Sequence, residues 1–354
     1  MEGVEEKGQI KEEKLGIRQN IKPNATYRQI RKTGDKPLEW ELNRGPKYWE
    51  YRKKWDEIPK LQITTEGPLH LDIETTNLCN LTCFMCPRTV LVNEGKIAKD
   101  GEIPLGSMDF DFYCSLIDQG AELGACSVKL NYLGEPLIHR DVFKQVAYAK
   151  EKGYVDVMFN TNGALLTEEK SKQLLDAGLD SIFFSFDSPY PEKYNKIRTG
   201  TEFHKVKRNV EKFMEIKEKG GYKHVQTRIS LVLMDQGEQE LEDYKKMFLD
   251  LIGVVGFGEF SDREKDYGKA YGIVPDFACA QPFQRMFIAW DGFVFPCCVD
   301  DKRELPMGDA RKNTIREIWH GPRYTALRNA MKTGTYYKFK RCSTCYLPHC
   351  KTGS

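Results

Sequence analysis

The sequence lacks the long apolar runs that membrane-associated and secreted chains carry. No stretch approaches the roughly 20 apolar residues that a membrane-spanning helix needs. The first 30 residues are charged and contain no apolar core of the kind found in a secretory signal peptide. These absences argue against a transmembrane or secreted protein, and they predict a cytoplasmic one.

The sequence also lacks a charge excess, internal repeats and low-complexity segments. Lys and Arg number 54 and Asp and Glu number 52, so the formal net charge is +2. A balance this close to neutral gives no electrostatic reason to expect nucleic acid or an anionic membrane as a partner. With 354 residues, the chain is long enough for one large domain and a small one.

The sequence does have many cysteines. In a reducing compartment its 11 cysteines are not expected to form structural disulfides. Only Cys114 and Cys126 stand apart from two groups, which suggests metal binding. The grouped cysteines are Cys79, Cys83, Cys86, Cys279, Cys297, Cys298, Cys342, Cys345 and Cys350.

Strand and helix patterns alternate through the middle of the chain. Six strands alternating with helices predict an α/β protein, a partial (β/α)6 TIM-like barrel with its chemistry at the carboxyl ends of the strands. The predicted strands are Leu69–Glu74, Ser127–Asn131, Val155–Asn160, Ser181–Phe186, Val225–Leu233 and Leu251–Glu259.

The two ends of the chain differ from this middle part. Residues 1–67 form a charged extension without a clear strand–helix pattern, and one helix is predicted around Tyr48–Trp55. Residues 68–275 make up the barrel. Residues 276–354 are rich in cysteine and poor in periodic runs, which predicts a small metal-stabilised domain with a helix between Thr314 and Met331.

The first cysteine group directly follows the first predicted strand. Cys79, Cys83 and Cys86 lie within eight residues, and three thiolates can hold a cubane cluster while one iron stays open to a small molecule. A thioredoxin-like Cys83–Cys86 pair would leave the third cysteine unexplained. A zinc site would need a fourth ligand, and the next cysteine is Cys114. An iron–sulfur cluster is therefore the favoured interpretation.

These cysteines resemble the Cys-x3-Cys-x-aromatic-Cys signature of the radical S-adenosylmethionine (SAM) superfamily, with Met85 in place of the aromatic residue. The resemblance implies that the three cysteines bind a [4Fe-4S] cluster whose open iron chelates the amino and carboxylate groups of SAM. Segment 131–136, Asn-Tyr-Leu-Gly-Glu-Pro, resembles the Gly-Gly-Glu-Pro element of the family, except that Leu133 replaces the first glycine. The resemblance implies these cofactor contacts: Met85, Gly134, Glu135, Pro136, Asn160 and Ser185.

The second cysteine group resembles the SPASM and twitch extensions of the same superfamily. It follows the pattern Cys279-x12-Gly-x4-Cys297, then Cys342-x2-Cys345-x4-Cys350. Two complete auxiliary cubanes would need about eight cysteines, and six follow residue 278. The resemblance therefore implies one auxiliary [4Fe-4S] cluster, on Cys279, Cys297, Cys342 and Cys345. Alternatives are a zinc knuckle on the same four residues, or Cys350 in place of one of them.

The resemblance also implies a chemistry. A 5′-deoxyadenosyl radical would remove a hydrogen atom from a small hydroxylated metabolite of the sugar or cyclitol type, with oxidation of an alcohol or epimerisation as the outcome. A reducing protein such as flavodoxin or ferredoxin would supply electrons. Alternatives are modification of a ribosomally made peptide, or a non-catalytic iron–sulfur or zinc protein. The candidate hydrogen donor is Cys298, and the candidate bases near strand ends are Asp187, Glu259, Asp262 and Arg263.

Overall fold

The structure is a computed structural model that describes residues 20–22, 27–260, 272–275 and 277–349. No helix in these ranges combines the length and the apolar character that crossing a bilayer requires. The strands are β1 (Asn20–Lys22), β2 (Tyr27–Arg31), β3 (His70–Ile73), β4 (Ile97–Ala98), β5 (Ile103–Pro104), β6 (Ser127–Lys129), β7 (Asp156–Thr161), β8 (Ser181–Ser185), β9 (Gln226–Leu233), β10 (Val254–Glu259), β11 (Phe277–Cys279), β12 (Arg285–Ile288), β13 (Phe293–Phe295) and β14 (Gly308–Asp309).

Helices connect most of these strands. The α-helices are α1 (Glu39–Leu42), α2 (Pro46–Leu61), α3 (Pro87–Asn93), α4 (Phe110–Glu122), α5 (Val142–Glu151), α6 (Glu168–Asp176), α7 (Pro191–Ile197), α8 (Phe203–Lys219), α9 (Glu238–Ile252), α10 (Gln281–Gln284), α11 (Ile315–Trp319), α12 (Pro322–Thr333) and α13 (Lys340–Ser343). Single 3-10 turns cover Pro136–Ile138, Tyr336–Lys338 and Leu347–His349.

One large sheet organises the fold. Its order is β14-β13-β12-β3-β6-β7-β8-β9-β10-β2. The strands from β12 to β10 all run parallel, whereas β13, β14 and β2 are antiparallel additions at the two ends. The predicted α/β class with a partial TIM-like barrel is confirmed. The strand β12 lies in the segment predicted as the C-terminal domain, yet it pairs with β3; the domain boundaries themselves stay predictions.

The alternation predicted for the fifth barrel strand accounts for the two faces of β9. Thr227, Ile229 and Leu231 are buried against the surrounding helices. The residues between them, which include Arg228 and Ser230, are only partly buried and belong to the opposite face of the strand. The interior of the barrel is therefore lined in part by polar side chains, as a site for a polar ligand requires.

Three predicted elements differ from the structure. Leu251 and the residue after it end helix α9 and do not begin the sixth strand, because Gly253 takes a left-handed conformation at φ 84° and stops the helix. The helix expected between Thr314 and Met331 is two helices, since Gly321 separates α11 from Pro322, the first residue of α12. The extension, in which the sequence showed no clear strand–helix pattern, contains β1 and β2.

The predicted N-terminal helix is present as α2, and it packs across the amino ends of the barrel strands. Its Tyr48 and Tyr51 are buried, and the Trp55 ring meets the His70 ring at a centroid distance of 5.7 Å. Just before the helix, the Arg44 guanidinium donates to the Asp180 carbonyl at 2.6 Å. The helix thus closes the end of the barrel opposite the carboxyl ends of the strands.

A buried ion pair ties β12 to β3. Asp72 is fully buried and accepts two hydrogen bonds from Arg285, at 2.6 Å from Nε and 2.5 Å from Nη2. Burial opposes ionisation, but Arg285 and His70 outweigh it and hold the pKa of Asp72 well below its usual range. The pair therefore contributes to stability while Asp72 is ionised.

Removing this carboxylate charge is expected to destabilise the protein. We expect Asp72→Asn to lower the free energy of unfolding by about 3 kcal/mol at pH 7, because it leaves the Arg285 charge buried without its partner. Asp250→Asn, at an exposed pair with Lys32, should change the free energy by less than about 1 kcal/mol. Urea unfolding followed by tryptophan fluorescence measures both.

The effect should depend on pH in one direction. The folded pKa of Asp72 lies below the unfolded value, so the stabilisation is complete above about pH 4 and is lost as the pH falls through the folded pKa. The difference between wild type and Asp72→Asn should therefore shrink in acid. Equal stability of the two asparagine variants at pH 7 would contradict the assignment.

Candidate functional site

A cavity of about 230 Å³ opens at the carboxyl ends of the barrel strands. Residues that are far apart in the chain meet there because the carboxyl ends of parallel strands share one edge of the sheet. Most of the residues predicted to bind the cluster and its cosubstrate line this cavity: Cys79, Cys83, Cys86, Gly134, Glu135, Asn160 and Ser185. Met85, in the cysteine loop, and Pro136, which opens a 3-10 turn, do not line it.

The cysteine loop leads directly into helix α3. Cys86 is the N-cap residue of this helix and Pro87 is its first residue, which places the positive end of the helix beside the thiols. Burial raises the pKa of Cys79, and it raises the pKa of Cys83 to about 11. The free thiols of Cys79 and Cys83 therefore stay protonated at neutral pH, so a bound metal cluster would have to displace their protons.

Two side chains point at the sulfurs of this loop. The Arg198 Nη1 lies 3.8 Å from the Cys83 Sγ, and the Asn162 Nδ2 lies 4.0 Å from the Cys79 Sγ. Both are donors, and donors directed at sulfur stabilise thiolate over thiol. The donor set therefore fits a group that binds three thiolates. Sequence patterns missed Arg198, since it follows helix α7 and lies at no strand end.

Glu135 is a buried carboxylate at the cavity wall. It accepts hydrogen bonds from the Thr161 hydroxyl at 2.8 Å, from the Asn162 backbone N–H at 2.8 Å and from the Leu137 backbone N–H at 3.2 Å. Burial raises its pKa, and these hydrogen bonds work against the rise. A carboxylate has about four acceptor positions, so about one remains for a ligand ammonium.

Gly134 holds the Glu135 loop against the cysteine loop. A Cβ at this position would lie 2.0 Å from the Thr76 carbonyl oxygen and 2.9 Å from that of Leu78. The Glu135 N–H donates to the Leu78 carbonyl at 2.8 Å. Only glycine permits this approach, and it fixes the residue just before Cys79. The backbone N–H of Leu133, in place of the first family glycine, donates to Glu74 at 3.1 Å.

The candidate bases occupy different surroundings. Asp187 is fully buried; its carboxylate accepts from the Arg198 Nε at 2.5 Å and from the Val232 backbone N–H at 2.9 Å. Glu259 ends β10, and its side chain lies outside the described part of the structure, as do Asp262 and Arg263. Further cavity residues that sequence reasoning did not single out are Arg88, Lys129, Asn131, Tyr132, Thr161, Asn162 and Arg198.

The second cysteine group lines a separate, mostly apolar cavity. Its lining includes Cys279, Cys297, Cys342 and Cys345. Burial raises the pKa of Cys279 to about 12 and raises the pKa of Cys297 and Cys342 well above the ordinary value. Soft sulfur donors around one enclosed space suit an iron–sulfur cluster.

Further findings concern the cysteines and their surroundings. Among the described residues, no three Cys, His, Asp or Glu side chains converge closely enough to hold a single metal ion. Cys350 lies outside the described residues. Cys298 does not line the second cavity; its carbonyl accepts a hydrogen bond from the Tyr132 hydroxyl at 3.0 Å. Since Tyr132 lines the first cavity, the Cys298 segment lies between the two.

Two proteins are similar in sequence to parts of this chain. A probable GTP 3′,8-cyclase of Methanococcus maripaludis is 33% identical over 144 residues, which is 41% of this chain and 45% of the cyclase. The chain thus matches less than half the length of that relative. A tungsten-containing aldehyde ferredoxin oxidoreductase cofactor-modifying protein of Pyrococcus furiosus is 24% identical over 327 residues, 78% of this chain and 87% of that protein.

A solved structure shares the fold. Streptococcus suis SuiB, bound to the precursor peptide SuiA, superposes with a TM-score of 0.59 at 14% identity, covering 85% of this chain and 79% of SuiB. At this identity the likeness shows the fold alone.

Two family models match the chain in sequence order. The radical SAM superfamily model matches residues 73–248, and the SPASM model, described as an iron–sulfur cluster-binding domain, matches residues 279–346. The first match covers Cys79, Cys83, Cys86 and the first cavity, and the second covers the four cysteines that line the second cavity. The radical SAM match implies a [4Fe-4S] cluster that works with SAM, and the SPASM match implies auxiliary iron–sulfur binding. The chain therefore belongs to the radical SAM superfamily and carries a C-terminal SPASM domain.

Proposed function

We propose that this radical SAM enzyme abstracts a hydrogen atom from a small hydroxylated metabolite of the sugar or cyclitol type, and oxidises or epimerises the alcohol carbon. The observation that carries the proposal is the polar lining of the first cavity beyond the cysteine loop. Its donors and acceptors match a molecule that bears several hydroxyl groups. Among the lining residues with no predicted cofactor contact, these are Lys129, Asn131 and Tyr132.

Different residues of the chain would bind different parts of the cofactor. Cys79, Cys83 and Cys86 would hold the cluster, and the cluster with bound SAM supplies a 5′-deoxyadenosyl radical. Glu135 would accept a hydrogen bond from the SAM ammonium through its remaining acceptor position. Asn160 and Ser185, at adjacent strand ends, would orient the ribose or the carboxylate.

Asp187 serves best as a positioning residue. Its carboxylate is fully buried and holds Arg198, whose guanidinium in turn points at Cys83. A general base must reach the proton that it removes, and Asp187 has no open path to the cavity in this arrangement. Another group must therefore act as the base, and Glu259 remains the predicted candidate for that role.

The SPASM region would complete the reaction in one of two ways. Cys279, Cys297, Cys342 and Cys345 would hold an auxiliary cluster, which would supply the one-electron acceptor that oxidation of the substrate radical to a ketone requires; the hydroxyl proton would pass to a base. Alternatively, the thiol of Cys298 would donate a hydrogen atom to the substrate radical and make the reaction an epimerisation; an electron from the reducing protein and a proton from solvent would then restore the thiol. The hydrogen bond from Tyr132 to the Cys298 carbonyl places this segment beside the first cavity, which supports either role.

Adjacent cysteines should respond differently to substitution. We expect Cys297→Ser to lose about four irons per chain after anaerobic reconstitution, while Cys298→Ser keeps all of them, because only Cys297 lines the second cavity. Assay of iron and acid-labile sulfide measures the difference. Zinc in wild-type protein, with no iron lost from Cys297→Ser, would favour the zinc knuckle.

Deuterium transfer tests the proposed function. The reconstituted enzyme, with SAM and either dithionite or a flavodoxin system, is incubated with C-deuterated sugars and cyclitols, and deuterium in 5′-deoxyadenosine is measured by mass spectrometry. Oxidation yields a ketone, whereas epimerisation in D2O places solvent deuterium on the product carbon. An electron carrier would make no 5′-deoxyadenosine, and a peptide-modifying enzyme would transfer deuterium from a peptide only.

A further inference from the structure

A lysine stands inside the barrel, deeper than the residues predicted to bind the cofactor. Lys129 ends β6 and lines the first cavity together with Asn131, which lies two residues further on the same face. At about 3.3 Å per extended residue, two residues span at most roughly 7 Å, and Lys129 lies on the deeper side of Asn131. Its register partners are Asp72 on β3 and Met158 on β7.

Lys129 has no counter-ion of its own among the described residues. The nearby carboxylate, Asp72, already accepts two hydrogen bonds from Arg285, and the His70 Nε2 lies 3.5 Å from it. Within the described ranges the Lys129 side chain makes neither a hydrogen bond nor an ion pair. The Lys129 side chain thus faces the cavity, and the one carboxylate described near it is already paired with Arg285.

The groups around Lys129 make an ammonium there costly. Burial lowers the pKa of Lys129, Arg285 and Arg228 act in the same direction, and Asp72 and Cys298 oppose them. A charge that is largely removed from water and shares its nearby carboxylate with another cation is unfavourable, and a ligand that brings the opposite charge relieves it. The site is therefore arranged to gain from an incoming anion.

Two arginines contribute positive charge near Lys129. A third cavity, of about 410 Å³, lies toward the amino ends of the strands. Both Arg228 and Arg285 line it. The Arg228 guanidinium stacks 4.1 Å above the centre of the Phe183 ring, which fixes its position. The Arg228 and Arg285 charges both act on Lys129, and the charge of Arg285 is paired with Asp72.

We propose that Lys129 binds an anionic group of the substrate, a carboxylate or a phosphate, so that the substrate is an anionic hydroxylated metabolite. This inference rests on the proposed function, since it takes the first cavity to be the substrate site. The reacting carbon of the substrate would lie toward the cysteine loop, and its anionic group would lie deeper in the barrel. Lys129 then selects the substrate and sets its orientation.

Calorimetric titration of the reconstituted, SAM-saturated enzyme tests the proposal. SAM fills the cofactor side of the cavity, so that an anion binds beyond it. The probes are inorganic phosphate, glucose 6-phosphate, glucuronate and, as the neutral control, glucose. We expect at least one anion to bind wild type, and Lys129→Gln to weaken that binding about tenfold or more. The anion that shows the loss identifies carboxylate or phosphate as the preferred group.

Two further variants make the result specific. Lys205→Gln removes an exposed lysine from helix α8 and should bind the anion as wild type does. Lys129→Arg keeps the charge and should retain most of the binding, which guards against a folding defect in Lys129→Gln. Circular dichroism checks that each variant is folded. Equal anion binding by Lys129→Gln and wild type, or no anion binding by wild type, would overturn the inference.

The two proposals fail in different ways. If wild type binds an anion but forms no 5′-deoxyadenosine with any substrate, the proposed function fails and the anion site remains. If wild type forms 5′-deoxyadenosine and binds no anion, the function stands and the role of Lys129 is wrong.

Discussion

The triple variant Cys79→Ala/Cys83→Ala/Cys86→Ala is expected to form no 5′-deoxyadenosine and to hold about four irons per chain, against about eight in wild type. The three sulfurs line one cavity with Gly134 and Glu135, and no other cysteine among the described residues lines it. Without these thiolates there is nothing to hold the cluster that cleaves SAM. The remaining irons should belong to the second cysteine group, which lies in a separate cavity.

Iron, acid-labile sulfide and 5′-deoxyadenosine are measured on the same anaerobic preparation. Cys114→Ala is the matched control, because Cys114 is a partly buried cysteine of helix α4 outside both cavities. It should keep all irons and full activity. Unchanged iron in the triple variant would place the catalytic cluster elsewhere and would remove the basis of the proposed function.

Gly134→Ala is expected to lower the rate of 5′-deoxyadenosine formation by about 100-fold, because a displacement of about 1 Å at a catalytic loop has effects of this size. The added methyl group would meet the Thr76 and Leu78 carbonyls at 2.0 and 2.9 Å, and backbone atoms cannot rotate away as a side chain can. The loop that carries Cys79 must therefore move. The free energy of unfolding should fall by about 1–3 kcal/mol.

Gly45→Ala provides the control for this substitution. No atom lies within 4 Å of a Cβ at Gly45, which caps helix α2 with an ordinary negative φ of −71°. Its effect on stability should stay below about 1 kcal/mol, and its effect on activity should be negligible. SAM binding measured by equilibrium dialysis would show whether Gly134→Ala acts through cofactor affinity. Wild-type activity in Gly134→Ala would refute the close packing described for the two loops.

The features that the sequence could predict are those that lie in short, continuous segments of the chain. The cysteine spacing and the Gly-Glu-Pro segment are continuous in sequence, so their meeting at the strand ends follows from the parallel fold. The alternation of β9 likewise predicted a buried and a polar face. These patterns need no knowledge of distant contacts.

The features that the sequence did not predict depend on long-range contacts. Arg198 reaches the cysteine loop only because Asp187, on a different segment, holds its guanidinium. Lys129 has no counter-ion of its own because Arg285, more than 150 residues later in the chain, is paired with the only carboxylate described near it. The strand β2 exists because it pairs with β10, and nothing in its own residues demands it. Contacts of this kind become visible only once the chain is folded.

The pairing of β12 with β3 has a consequence for synthesis of the protein. Until residues 285–288 leave the ribosome, one edge of β3 has no parallel neighbour, although β6 can already cover the other edge. An open edge of this kind is a template for pairing with another chain. The nascent barrel therefore stays vulnerable to aggregation while more than 150 residues are translated, and a truncation before Arg285 would make that state permanent.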